Sequence, residues 1–227
     1  MFKARAICTI IGVLSLFSSA CNPLQSHEAL LTTRIATTKP SVVRFVSEHG
    51  SCSAFYVGQD LFITAAHCIR PDADHFIENT DGDMYLVQTI ITDRDRDVAV
   101  FSSNDFDGLP LQLWNEWMYG DLKIGSAIIS MGFPGYYGQE FAFEEGTVLD
   151  KRMRGRVRML VSRNAAYFGE SGGPVISLHN GQVVGLVHAL SEHVTDLGGD
   201  IRVHNTLSML VAWSEIRTVL EQARKVR

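Results

Sequence analysis

Ser171, His67 and an aspartate within 92-TDRDRDVAVF-101 carry the residue types that acyl transfer requires. Ser171 stands in 168-FGESGGPV-175. Three glycines and a proline suit neither a helix nor a strand interior, and they carry a high chain-entropy cost. Chemistry gives the run a purpose. A serine hydroxyl is a weak nucleophile and needs a base to take its proton. A neutral histidine suits that task, and a carboxylate holds the histidine in the required tautomer. The oxyanion then needs backbone N–H donors, which flanking glycines leave free to turn toward it. The run 169-GESGG-173 also matches Gly-x-Ser-x-Gly, whose serine sits between a strand and a helix of a parallel sheet. Here Pro174 and a strand-like run follow instead, which disfavours that reading.

The base is His67 of 64-TAAHC-68. Alone it would read as an ordinary core histidine. Beside Cys68, with Cys52 sixteen residues upstream, it sits in a loop that a disulfide would clamp. Three acids could hold it. Asp93 and Asp95 each precede an arginine and read as solvated, whereas Asp97 opens the apolar run Val98-Ala99-Val100 and can be buried against the histidine.

These residues need a scaffold. The chain has 227 residues, 46% of them hydrophobic, enough for a packed core. Its net charge of −5 argues against a general nucleic-acid binder. Residues 1–20 read as a signal peptide, with Lys3 and Arg5 before the apolar 6-AICTIIGVLSLF-17. The following 18-SSAC-21 resembles a bacterial lipobox, which would make Cys21 a lipidated N-terminus. Export to the periplasm or cell surface is expected, by lipid anchor or otherwise by secretion. With Cys8 in the leader and Cys21 at its edge, Cys52 and Cys68 are left as one pair, most simply a disulfide in an exported chain. No zinc site or other metal is expected, because no Cys-x-x-Cys or His-x-x-x-His spacing occurs.

Residues 21–40 read as a linker or tether. From 41 onward, short β-branched and aromatic runs alternate with turns, among them 42-VVRFV-46, 61-LFITAA-66, 98-VAVF-101, 126-SAIISMG-132 and 182-QVVGLVHAL-190. Turns are expected at 80-TDGD-83 and 179-HNG-181. Arg152, Arg154, Arg156 and Arg158 alternate along one segment and would share a strand face. That face is either merely solvated or attracts an acidic substrate or anionic lipid. Helical spacing of Leu207, Leu210, Val211, Ile216, Val219 and Leu220 predicts a terminal helix over 206–225, with Asn205 or Thr206 as its cap. The fold class is therefore all-β, two antiparallel sandwiches or barrels plus a C-terminal α-helix.

TAAHC, the cysteine sixteen residues before Cys68, GESGGP and the order His, Asp, Ser together resemble the chymotrypsin/trypsin family of serine peptidases over roughly 41–227. The resemblance implies two six-stranded antiparallel β-barrels with the site between them, here about 41–115 and 116–205. It implies a serine endopeptidase in which Ser171, His67 and Asp97 act together and the N–H groups of Gly169 and Ser171 form the oxyanion hole. No cofactor is implied; the partner is a protein or peptide substrate. Ala165, Ala166, His188 and Leu190 would line the substrate pocket. The short loops, with 131-MGFPG-135, resemble bacterial members such as the Deg-type proteases, though without the PDZ domains those usually add. The chain departs from the family pattern in three places, one of them Ala165 at the position six before Ser171 that sets charge selectivity in trypsins. Glu170 replaces an aspartate that pairs with a new N-terminus in activated trypsins, and His188 stands where trypsins have a serine near the aspartate. The rival reading is a catalytically inactive homologue that serves as a binding module.

Overall fold

The strand-forming runs assemble into two β units, held together by a helix at each end of the described chain. The structure is a computed structural model that describes residues 26–135, 140–164, 166–196 and 202–227, with 189–196 and 202–206 given by backbone alone. The expected signal peptide, Cys21 and Ala165 lie outside the described residues. Helix α1 (His27–Thr38) comes first, where the sequence suggested a tether. Its hydrophobic periodicity is weak. What folds it is a Ser26 cap accepting from Ala29 N–H and tertiary support along one side. Leu30, Leu31 and Ile35 pack on the main core, and Arg34 donates to the carbonyls of Leu178 and His179.

Strands β1 (Val42–Ser47), β2 (Gly50–Gly58), β3 (Leu61–Thr64), β4 (Phe76–Glu78), β5 (Met84–Leu86), β6 (Gln88–Asp93) and β7 (Val98–Ser102) form the first unit. They make one seven-stranded sheet in the order β5-β4-β1-β2-β3-β7-β6. This half-barrel differs from the closed six-stranded barrel implied by the resemblance. Its interior is aromatic, with Phe45, Phe62 and Phe101 fully packed and their rings in contact. The turn 80–83 joins β4 and β5 as expected.

The short helix α2 (Glu116–Tyr119) leads into the second unit. There β8 (Ala127–Gly132), β9 (Ala142–Arg154), β10 (Val157–Arg163), β11 (Pro174–Ser177), β12 (Val183–Asp196) and β13 (Arg202–Ala212) close a barrel in the order β10-β13-β12-β11-β8-β9. Two expectations are corrected here. Residues 152–158 are not one strand: the chain reverses at Gly155 (φ 62°), and Arg154 faces Val157 across the hairpin. Residues 206–212 are not helical either. The run 206-TLSMLVA-212 is apolar enough for either period, and pairing with both β10 and β12 makes it the strand that closes the barrel.

Helix α3 (Trp213–Val226) follows, seven residues later than predicted. It packs against β6 and β7 of the first unit and against β12 of the barrel, and Ile216, Val219, Leu220 and Ala223 join a core cluster that both units share. Burying each of the three larger side chains favours docking by roughly 1.5–3 kcal/mol. Arg96 on the β6–β7 turn fixes the helix start through Glu215, at 3.0 Å. The two units are thus strapped together from both ends.

Candidate active site

His67 lies in a single 3₁₀ turn, Ala66–Cys68, at the end of β3. The Cys52–Cys68 disulfide forms as the sequence reading expected and ties that turn to β2. The imidazole is 45% exposed, so its outer face is open to a substrate. Asp97 ends the β6–β7 turn with φ 57°, a left-handed conformation that aspartate tolerates better than most residues. Its side chain is 8% exposed. Asp97 Oδ1 accepts the His67 backbone N–H at 2.8 Å, and Oδ2 lies 2.8 Å from His67 Nδ1. An ionised carboxylate only accepts, so Nδ1 carries the hydrogen, and in the neutral ring Nε2 then keeps its lone pair. Asp95 is exposed, and Asp93 is taken up by Arg96 at 2.8 Å. Of the three candidate acids, the structure brings Asp97 to the histidine.

Burial alone would push the Asp97 carboxyl up. Hydrogen bonds from His188 and His67 outweigh it and hold the group well below the usual carboxylate range. The ligating atoms of His67, Asp97 and His188 lie within 4.8 Å of one another, a spacing open to a divalent cation. Both Nδ1 atoms lie within hydrogen-bond distance of Asp97 Oδ2, so each imidazole can donate to the carboxylate.

The Ser171 loop is stitched to both units. The Ser171 carbonyl accepts Ser53 N–H of β2 at 2.8 Å and lies 3.9 Å from Cys68 Sγ, beside His67. Gly172 N–H donates to Val187 O, and Val187 N–H to Gly173 O. Gly172 (φ 86°) touches the first unit so closely that a Cβ there would lie 2.8 Å from Ala65 N and overlap Thr64 Oγ1. This close approach explains the glycine after the serine. Gly169 (φ 99°) is equally confined, since its Cβ would lie 2.5 Å from Phe133 O.

The donor cup takes shape from these contacts. Phe168 O accepts from Gly135 N–H at 2.7 Å, which turns the Gly169 N–H the opposite way across a trans peptide. Gly169 O accepts from Ser53 Oγ, which itself accepts from Phe133 N–H at 2.9 Å. Among the described residues the Gly169 and Ser171 N–H groups have no backbone partner. Sequence reasoning missed Ser53, which ties 131-MGFPG-135 to the serine loop; a lone serine in a strand carries no signal of that role.

Glu170 is buried beneath this loop, its Oε2 accepting from Tyr167 N–H at 2.8 Å and its Oε1 left without a partner. Burial pushes its carboxyl up to about 7, against the pull of that N–H, and the nearby Glu144 carboxylate adds to the rise. Ala166 is buried among the barrel residues, and Leu190 falls where only the backbone is described. His188, whose place in the sequence matches a serine near the aspartate in trypsins, has its ring hydrogen-bonded to Asp97.

A family model described as a trypsin-like peptidase domain matches residues 52–186. Two curated relatives, the serine protease HTRA1 of Xenopus tropicalis and that of Xenopus laevis, are each 28% identical over 145 residues. Those matches cover 60% of this chain and 30% of each relative, so the chain spans less than a third of their length. Among solved structures, the inactive form of the Rv3671c protease superposes with a TM-score of 0.69 at 22% identity, over 86% of this chain and 94% of that one. A serine-to-alanine mutant of Rv3671c from M. tuberculosis gives 0.67 at 22% identity, over 86% and 91%. At that identity the likeness bears on the fold.

Proposed function

Since the chain belongs to the trypsin-like peptidase family, we propose that it is a serine endopeptidase that cleaves protein or peptide substrates through an acyl-enzyme on Ser171. The observation that carries this reading is the His67 tautomer. Asp97 takes the Nδ1 hydrogen at 2.8 Å, which leaves the Nε2 lone pair for the Ser171 hydroxyl. In the first step Ser171 Oγ attacks the scissile carbonyl as its proton passes to His67 Nε2. The Gly169 and Ser171 N–H groups meet the oxyanion. His67 then gives the proton to the leaving amine, and a water repeats the sequence to release the acid.

Ala165, Ala166 and Leu190 line the primary pocket by resemblance. None is acidic, so an Arg or Lys side chain there would be left without a counter-charge. Small or medium apolar residues are favoured at the cleaved position. A disulfide fits an oxidising compartment. With the signal-like N-terminus it supports export, anchored through a lipid on Cys21.

A fluorophosphonate probe tests the core of the reading. It should label the wild-type protein and not Ser171→Ala, and the same pair should differ in cleavage of a peptide library. A folded wild type that neither labels nor cleaves would leave the binding-module reading standing.

A further inference from the structure

Asp97 has a second imidazole partner that the sequence motifs do not contain. His188 sits on β12 with its side chain 14% exposed, and its Nδ1 lies 2.5 Å from Asp97 Oδ2, the oxygen that also faces His67 Nδ1. The two rings are 6.1 Å apart, with their planes at 74°. On its far side, His188 Nε2 meets Arg154 Nη1 at the end of β9. The strands β9 and β12 are not neighbours in the barrel, so this contact joins strands that no backbone ladder pairs.

The donor inventory fixes the protons along this chain. A guanidinium only donates, so His188 Nε2 accepts. The ring is therefore neutral, with its hydrogen on Nδ1, pointing at the carboxylate. Asp97 thus receives three donors: the His67 N–H on Oδ1, and both Nδ1 hydrogens on Oδ2. A buried carboxylate that loses one of them is left under-coordinated. The two bonds to His67 remain, but Oδ2 loses the one anchor that does not itself belong to His67, so the carboxylate and the ring it holds can shift together.

We propose that His188 is a positioning residue: held in one tautomer by Arg154, it anchors Asp97 Oδ2 so that the carboxylate stays aimed at His67 Nδ1 while His67 accepts and returns the Ser171 proton. This rests on the peptidase reading above. The role belongs to the reaction step and not to substrate binding, so it separates kcat from KM. A hydrogen bond to a charged acceptor, once lost, sets the scale at about 10- to 100-fold.

The experiment compares wild type, His188→Ala, His188→Asn and Arg154→Met in kcat and KM on one peptide. It is paired with ¹⁵N NMR of the histidine rings in the folded wild type. Asparagine places its amide nitrogen where Nδ1 was. His188→Ala should lose about 10- to 100-fold in kcat with KM held within about twofold, and His188→Asn should recover most of it. Arg154→Met should lose a few-fold, on the order of one weaker hydrogen bond. The spectrum should show His188 protonated on Nδ1 and bare on Nε2. Equal damage from Ala and Asn, a loss carried by KM alone, or a protonated Nε2 would overturn the proposal. A wild type that fails to label with the fluorophosphonate sinks the peptidase reading instead, and the NMR result then judges the His188–Asp97 contact alone.

Discussion

Replacing Glu170 with glutamine should make the protein more stable at pH 8 and leave it nearly unchanged at pH 5. The buried carboxyl is pushed from an ordinary 4.5 to about 7 by burial, with Glu144 adding to the rise. Between those values the folded protein binds a proton that the unfolded chain has released. Stability therefore falls as pH rises through the window. The favourable contribution is complete below about 4.5 and gone above about 7. At about 1.4 kcal/mol per pH unit, the loss is on the order of 3 kcal/mol. In Glu170→Gln the side chain no longer titrates. Its amide oxygen can keep the Tyr167 N–H, and its NH₂ takes the place of the unpartnered Oε1. Urea unfolding followed by tryptophan fluorescence at pH 5, 6, 7 and 8 reads the difference. The variant should gain steadily on wild type, reaching an advantage on the order of 3 kcal/mol in unfolding free energy at pH 8. A gap that does not change with pH would refute the buried, unpaired state. Wild-type stability that rises across the window through this residue would mean that a cation reaches Oε1, as a new N-terminus does in activated trypsins.

Three further expectations follow from the site. Asp97→Asn should lower kcat by on the order of 10⁴-fold through the wrong His67 tautomer, whereas Asp95→Asn should stay near wild type; the reverse order in steady-state assays would reassign the acid. Replacing Cys52 and Cys68 by serine together should cost about 3 kcal/mol in urea unfolding, since the bridge closes a sixteen-residue separation; no loss of stability would show that the bridge adds nothing to the fold. Arg34→Gln should retain full peptidase activity and lose about 1–2 kcal/mol through its bonds to Leu178 and His179, because the Arg34–Ile35 peptide lies inside α1, where a helix must open before it can be cut. A folded but silent Arg34→Gln protein, revived by starting the chain at Ile35, would establish activation by cleavage.

Chemistry carried by short contiguous runs was legible in the sequence. TAAHC and GESGGP each hold a reactive group together with the small residues that let the backbone pack around it. The structure shows why at Gly172, where no Cβ fits. Asp97 was legible because an acid opening a buried strand needs a partner, and the cysteine pair because two thiols beyond the leader-like segment have one partner each. Tertiary structure decided the rest. The run 206-TLSMLVA-212 suits either period, and it became a strand because the barrel needed a sixth edge to close. Helix α1 shows little amphipathic signal and forms because Arg34 and the core hold it from outside. Arg154 looked like one of four equivalent surface arginines. The reversal at Gly155 breaks that equivalence and leaves Arg154, at the end of β9, in contact with His188 on β12. Contacts between unpaired strands have no period along the chain, so the relay onto Asp97 comes from barrel closure, which sets residues 34 positions apart side by side.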